Sequence, residues 1–132
     1  MKTVFVDTSA FFAVLDGTDP FHSEALGAFQ RAANENWQLV TTNYVVHETW
    51  ALIQNRLGWE GVEAFLDRLL PRCRTIWVDE RLYTLGAARC RQMRLRRLSL
   101  TDCISFECMK QRGIREGIAR DEHFERERIS FP

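Results

Sequence analysis

Four acidic residues lie beside apolar runs or at the start of a predicted helix, where a carboxylate has either a chemical or a structural role. Asp7 ends the apolar run VFV, and Asp121 follows GIAR, which reads as a late strand. Glu48 lies on the flank of an apolar surface in VVHETWALI, and Asp102 falls in the first turn of a helix in SLTDCISFECM. An unpaired carboxylate is costly to bury, so each of these positions requires an explanation.

Each acid taken alone has a structural explanation. Asp7 could cap a helix that starts at Ser9, and Asp102 could be favoured by the dipole of its helix. Asp121 could be a turn residue, and Glu48 could pair with one of many arginines.

Taken together, the four acids favour a metal site. If they meet at one sheet edge, their mutual repulsion is severe without a cation, and hard oxygen ligands select Mg²⁺ or Mn²⁺. Such ions activate water and stabilise the oxygens of a phosphoryl displacement. The residues therefore predict a divalent-metal phosphodiesterase or phosphatase.

The elements that must position these acids alternate along the chain. Short β-branched runs predict strands at 3–6, 38–41, 75–78 and 117–120, with a weaker fifth at 129–131. Helices are predicted at 8–15, 20–35, 44–57, 60–70, 80–97 and 101–112. In 44–57, the residues Val46, Trp50, Ile53 and Leu57 form an apolar stripe at helical spacing, and Gly58 follows as a helix-ending residue. Strands alternating with helices predict a mostly parallel sheet whose ligands bind beyond the carboxyl ends of the strands.

Composition limits the remaining possibilities. With 132 residues, the chain is expected to form one domain, 1–132. Acidic and basic residues balance at 18 each, so net charge indicates no partner. No signal peptide or membrane-length apolar stretch is visible, which favours a cytoplasmic protein. The four cysteines lack paired CxxC spacing and are expected to be small buried side chains rather than zinc ligands.

At the acidic positions the chain resembles the PIN-domain ribonucleases, most closely the VapC-like toxins of type II toxin–antitoxin systems. The matching stretches are FVDTSAFFAVLDGTDPFHSEA, TTNYVVHETWALIQNRLG, RRLSLTDCISFECMKQRGI and ARDEHF, in the order and spacing of the family. The resemblance implies an α/β fold, the PIN-like three-layer α/β/α sandwich on a mostly parallel central sheet. It also implies Mg²⁺- or Mn²⁺-dependent endonucleolytic cleavage of RNA by water that the metal activates, leaving a 5′-phosphate.

The resemblance also implies roles for individual residues. The catalytic, metal-holding set maps onto Asp7, Glu48, Asp102 and Asp121. The hydroxyls expected to orient these acids or bound water are those of Thr8, Ser9 and Thr101. The tail ERERISFP departs from the family pattern, which puts the pairing of a last strand in doubt.

Partners follow from the same resemblance. They are an RNA substrate (tRNA, rRNA or mRNA), a cognate antitoxin and a second copy of the chain in a homodimer, with no membrane. Within the arginine-rich run ARCRQMRLRRL, Arg96 and Arg97 are the best candidates for RNA contact, although a solvated helix face would explain most of the run. The three histidines, His22, His47 and His123, are expected to pack or be solvated rather than to bind metal.

Two other functions stay open at this point. A non-catalytic interaction module with the same fold is disfavoured by the presence of all four acids. A haloacid-dehalogenase-type phosphatase would need a second Asp two residues after Asp7, where this chain has Ser9. If the acids do meet, they should repel one another in the metal-free protein, and at least one should have a raised pKa.

Overall fold

Four parallel strands form the central sheet of the computed structural model, which describes residues 1–132. The strands are β1 (Thr3–Val6), β2 (Gln38–Thr42), β3 (Cys73–Ile76) and β4 (Gly117–Ile118). They lie in the order β3-β2-β1-β4. In the register of the sheet, Phe5 pairs with Val40 on one side and with Gly117 on the other.

Five helices connect the strands, and a sixth follows β4. They are α1 (Thr8–Leu15), α2 (His22–Glu35), α3 (Asn43–Ala64), α4 (Glu80–Met93), α5 (Leu100–Arg112) and α6 (Glu122–Arg126). After α3, a π-helical turn (Phe65–Leu69) and a 3₁₀ turn (Leu70–Arg72) lead into β3. Pro71 lies in the first turn of the 3₁₀ segment, where its missing N–H costs no hydrogen bond.

The strand order reverses direction at β1. The chain passes from β1 outward through β2 to β3 and then returns to place β4 on the opposite side of β1. In open parallel sheets, the crevice at such a reversal, beyond the carboxyl ends of the strands, is where ligands bind. Asp7 follows β1 directly and Asp121 follows β4, so this topology places both acids at the same crevice.

The central strand shows that both faces of the sheet are covered. Val4, Phe5 and Val6 are all fully buried, although their side chains alternate between the two faces. The buried apolar residues form one continuous cluster of 30. This is the three-layer α/β/α arrangement that the resemblance implied.

Two predicted boundaries are wrong in the region that precedes Asp102. The third strand covers Cys73–Ile76 rather than 75–78, because the Val78 N–H donates to Asn43 Oδ1 at 2.7 Å instead of joining the ladder. Helix α4 ends at Met93 rather than at 97. Arg94 takes a left-handed conformation with a φ of 51°, and its N–H closes the helix on the Cys90 carbonyl.

The carboxyl-terminal strands are shorter than predicted. β4 is limited to Gly117–Ile118 instead of 117–120. The weak strand at 129–131 is reduced to one parallel bridge between Glu116 and Ser130. The Gly117 N–H donates to the Ser130 carbonyl and the Ser130 N–H to the Arg115 carbonyl, both at 3.0 Å. The atypical tail thus lies along β4 without extending the sheet further.

Helix α3 buries a different face from the one predicted. Val45, Thr49 and Ile53 form its fully buried stripe, whereas three of the four residues of the predicted stripe, Val46, Trp50 and Leu57, are only half-buried. Gly58 interrupts the helix as expected, with a φ of 76° that favours glycine. The buried stripe therefore contains a hydroxyl that the apolar pattern did not indicate.

The cysteines carry no disulfide. Cys103 and Cys108 are buried, Cys73 and Cys90 are half-buried, and all four thiols are free. Burial raises the pKa of Cys73 and of Cys103 to about 12, so both stay protonated. None of the helices has the length and apolarity that crossing a membrane requires.

A close approach of α4 to α5 gives the first prediction. A Cβ at Gly86 would meet Ile104 Cγ1 and lie 3.0 Å from its Cα. Gly86→Ala should therefore destabilise the protein by about 1–3 kcal/mol through overpacking, despite the better helix propensity of Ala. Urea unfolding measures the change.

Gly27→Ala in α2 is the matched control. The new Cβ there would meet only Arg31 Nη1 at 3.5 Å, an ordinary contact. This variant should gain about 0.5–1 kcal/mol from helix propensity alone. Equal effects of the two substitutions would contradict the close packing of α4 on α5.

Candidate active site at the carboxyl edge of the sheet

Asp7 links β1 to α1. Its backbone N–H donates to the Ile118 carbonyl at 3.2 Å, which continues the β1–β4 pairing. Its carboxylate caps α1, accepting from the Ser9 N–H at 3.2 Å and from Ser9 Oγ at 2.7 Å through the same oxygen, Oδ2. Asp7 is only 6% exposed, so the strand end holds a carboxylate that is nearly out of water.

Asp102 is fixed at the start of α5 by a reciprocal cap. The Asp102 N–H donates to Ser99 Oγ at 3.0 Å, and the Ser99 N–H donates to Asp102 Oδ2 at 3.2 Å. This is a capping box, with Asp in the position usual for Glu or Gln. Asp102 is 8% exposed. Ser99 is therefore the N-cap residue of α5.

The other two acids are more open. Asp121 is half-buried and caps α6, accepting from the His123 N–H at 2.8 Å. Asp121 thus follows β4 and caps the next helix, as Asp7 follows β1 and caps α1. Glu48 is half-buried in α3, and no hydrogen bond or ion pair holds its carboxylate.

The four acids act on one another electrostatically. Burial, together with the negative charges of Asp102 and Glu48, raises the pKa of Asp7 to about 7, against the lowering effect of the hydrogen bonds from Ser9. Burial also raises the pKa of Asp102, with additional contributions from the charges of Asp121 and Glu48. The expected raised pKa is confirmed, but burial is a larger cause than repulsion.

No cationic side chain neutralises this cluster. The three salt bridges of the protein join Lys2 to Glu116 and Arg89 to both Glu107 and Glu127, all outside the four acids. The donor set consists of carboxylate oxygens, which suit Mg²⁺ or Mn²⁺. As they stand, no three side chains are gathered closely enough to enclose an ion. The donor atoms therefore suit a divalent cation by their chemistry.

The expected hydroxyls occupy three different environments. Ser9 is tied on both sides, because its Oγ donates to Asp7 and accepts from the Arg120 N–H at 3.0 Å. Thr8 is buried and accepts from Thr49 Oγ1 at 3.0 Å. Thr101 is half-buried near Glu48, in a groove also lined by Tyr44 and the exposed ring of Trp77. Sequence reasoning missed Thr49 and the Arg120 backbone contact.

Three arginines of the arginine-rich run separate into two groups. Arg89 is engaged by Glu107 Oε2 at 2.6 Å and by Glu127 Oε1 at 2.5 Å, so it holds elements together. Arg96 and Arg97 are exposed and lie in the loop 94–99 that leads into α5. No acidic side chain pairs with either of them.

The histidines take the structural positions expected of them. His22 Nδ1 lies 2.7 Å from the Ala13 carbonyl, and His47 is exposed on α3. His123 is buried beside Asp121 but contacts it only through its backbone.

Comparison with known proteins agrees with this geometry. The family model described as PIN domain matches residues 4–128. The 23S rRNA-specific endonuclease VapC20 of Mycobacterium tuberculosis is 30% identical over 122 residues, which are 92% of this chain and 91% of the relative.

Two solved structures are similar as well. The crystal structure of Mycobacterium tuberculosis VapC20, described as a Sarcin-Ricin loop cleaving toxin, superposes with a TM-score of 0.80 at 28% identity, covering 93% of each chain. Rickettsia felis VapBC2, solved bound to a DNA fragment from its promoter, has a TM-score of 0.71 at 13% identity, covering 98% of this chain and 96% of the other. The match over residues 4–128, together with a parallel sheet that brings its acids to one edge, shows that the chain belongs to the PIN-domain family.

Proposed function

We propose that this protein is a divalent-metal-dependent endoribonuclease and the toxin of a toxin–antitoxin pair. The observation that carries the proposal is the set of carboxylates at the reversal of strand order, where Asp7 and Asp102 are nearly buried without a cationic partner. Charge so concentrated is stabilised by a bound cation. The likeness to the rRNA endonuclease VapC20 supports the same activity.

Different residues would bind the cation and orient the carboxylates that bind it. Asp7, Glu48, Asp102 and Asp121 would hold Mg²⁺ or Mn²⁺; when bound, such an ion lowers the pKa of water and stabilises negative charge on phosphate oxygens. Ser9 keeps one oxygen of Asp7 hydrogen-bonded and so orients the other. Ser99 does the same for Asp102.

The other two hydroxyl residues, Thr8 and Thr101, lie at the borders of the site. Thr8 lies between Asp7 and the buried hydroxyl of Thr49, and Thr101 borders the groove beside Glu48. No side chain is needed as a nucleophile, because water supplies the attacking oxygen. The chain's part would be to hold the cation and to position the scissile phosphate.

RNA is the proposed substrate class, and ribosomal RNA the first to test. VapC20 is named for 23S rRNA and for cleavage of the sarcin–ricin loop, and the present chain matches it over nearly its full length. Arg96 and Arg97 are proposed phosphate contacts, since their loop leads directly to the helix that carries Asp102.

Two protein partners complete the proposal. A cognate antitoxin is supported by the likeness to VapBC2, although that likeness alone shows only the fold. A homodimer is proposed from the family resemblance. An aromatic surface lies beside α3 and α4, and a second chain could cover it. It consists of the half-buried or exposed rings of Tyr44, Trp50, Trp77 and Tyr83.

One of the two alternative functions is excluded, and the other stays open. Membership of the PIN-domain family removes the haloacid-dehalogenase-type phosphatase. Ser9 also donates to Asp7 at the position where that family places a second acid. A non-catalytic interaction module stays as the outcome that an absence of cleavage would favour.

Asp7→Asn tests the enzymatic role. Asn also caps helices well, so α1 should persist while the carboxylate charge is lost. With Mg²⁺ or Mn²⁺, the wild type should cleave a sarcin–ricin-loop RNA, and Asp7→Asn should lower kcat by at least about 100-fold, an effect typical of a group that acts on developing charge. Gel analysis of end-labelled RNA measures cleavage and identifies the 5′-phosphate.

Asp16→Asn is the matched control. Asp16 accepts from the Thr18 N–H and hydroxyl at the far end of α1, in the same kind of turn. This variant should cleave like the wild type. Cleavage that persists in EDTA or in Asp7→Asn would overturn the metal mechanism.

The raised pKa of Asp7 predicts how stability changes with pH. In the metal-free protein, the folded state keeps a proton on Asp7 up to a pH of about 7, whereas the unfolded chain loses it near the ordinary value of 3.8. The folded state therefore binds more protons in this range, and stability falls as the pH rises from about 4 to about 7. Asp7 contributes up to about 4 kcal/mol to this decrease in the free energy of unfolding.

Urea unfolding in EDTA at pH 5 and pH 8 measures this dependence. The wild type should be more stable at pH 5, and Asp7→Asn should show a smaller difference between the two conditions. Added MgCl₂ should stabilise the wild type more at pH 8, because protons compete for the same carboxylate at pH 5. A pH dependence that is identical in both proteins would contradict the assignment to Asp7.

The arginine loop gives a prediction about substrate affinity. Arg96→Ala with Arg97→Ala should raise KM for RNA, leave kcat nearly unchanged and make KM less sensitive to salt, because phosphate contacts release counterions. Arg68→Ala is the control, since Arg68 is also exposed but precedes β3 at the opposite edge of the sheet. Equal salt dependence in all three proteins would remove these arginines from the RNA path.

A further inference from the structure

Thr49 is a polar residue in the buried stripe of α3. It lies between Val45 and Ile53 on that stripe, and it is completely buried. Its hydroxyl donates to Thr8 Oγ1 at 3.0 Å, and this hydrogen bond is itself buried. An apolar residue would fill the same space without a polar group to satisfy, so the hydroxyl pair needs a reason beyond packing.

The two threonines are neighbours of two acids. Thr49 follows Glu48 on α3, and Thr8 follows Asp7 at the start of α1. The helices α1 and α3 pack against each other, and the hydroxyl pair is the side-chain hydrogen bond between them. It ties together the two residues that directly follow Asp7 and Glu48.

Glu48 has no other support. Its own carboxylate makes no hydrogen bond or salt bridge, whereas Asp7, Asp102 and Asp121 are each held by a cap. The position of Glu48 relative to Asp7 therefore depends on how α3 is anchored to α1. We propose that Thr49 is a positioning residue that, through its hydrogen bond to Thr8, sets Glu48 at the correct distance from Asp7 for cation binding.

This proposal rests on the proposed function of the site, and it makes a prediction about metal affinity rather than fold. Removing a group that orients metal ligands typically lowers metal affinity by 10–100-fold. Thr49→Val keeps the shape of the side chain and removes the donor. It should raise the MgCl₂ concentration for half-maximal RNA cleavage by about tenfold and leave kcat at saturating MgCl₂ within about twofold of the wild type.

Two variants of the full-length protein separate positioning from a structural role. Thr49→Ser restores the hydroxyl and should restore the MgCl₂ requirement of the wild type. Thr41→Val removes another fully buried hydroxyl, one that donates to the Val6 carbonyl at 2.9 Å between strands already paired by their ladder. It should lose stability comparably in urea unfolding without changing the MgCl₂ requirement.

A binding measurement keeps the test independent of activity. The thermal midpoint of each protein, titrated with MgCl₂ alone, gives an apparent Kd that should rise about tenfold in Thr49→Val only. If Thr49→Val does not fold, Thr49→Cys, a weaker donor, should show an intermediate increase.

The outcomes distinguish this inference from the proposed function. If the wild type binds MgCl₂ and cleaves RNA but Thr49→Val has the same apparent Kd, or Thr49→Ser does not restore it, the positioning role is overturned and the function stands. If the wild type neither binds MgCl₂ nor cleaves any RNA, the proposed function fails and the inference fails with it.

Discussion

Negative charge confined at one edge of a parallel sheet is the constraint on which the rest of the structure depends. The reversal of strand order at β1 brings the ends of β1 and β4 side by side, and each strand is followed by an aspartate. α5 adds Asp102 and α3 adds Glu48, whose charges raise the pKa of Asp7 beyond the effect of burial. An edge of this kind is stabilised by bound protons or by a bound cation, and because the pKa of Asp7 is raised to about 7, protons compete for this carboxylate up to neutral pH.

The structural and the chemical explanations of the aspartates are compatible. Asp7, Asp102 and Asp121 each accept a backbone N–H at a helix start, so each satisfies the capping explanation. The cap also immobilises the carboxylate and leaves further lone pairs free. Helix starts carry partial positive charge, which offsets part of the repulsion among the acids. The same hydrogen bonds thus serve folding and prepare the ligands.

Sequence patterns predicted the parts of the fold that depend on local chemistry. Alternation of β-branched runs and helices gave the parallel sheet, and acids at element boundaries gave the candidate site. The end of α4 at Met93 was not predictable, because it depends on Arg94 taking a left-handed conformation that glycine or asparagine would normally indicate. The shift of β3 depends on Asn43, which is distant in sequence and captures the Val78 N–H.

The buried face of α3 shows why the site's supporting residues were harder to predict than its acids. The apolar stripe through Val46 and Trp50 is more hydrophobic than the stripe through Val45 and Thr49, yet the second one faces the core. If the helix were rotated by one position, the side chains of Val46 and Trp50 would be buried. The same rotation would move the Thr49 hydroxyl away from Thr8 and would move Glu48 as well. The observed rotation therefore leaves apolar area half-exposed and keeps the acid at the edge of the sheet. Hydrophobicity alone would select the other face, so the position of Glu48 depends on a polar contact that only tertiary packing reveals.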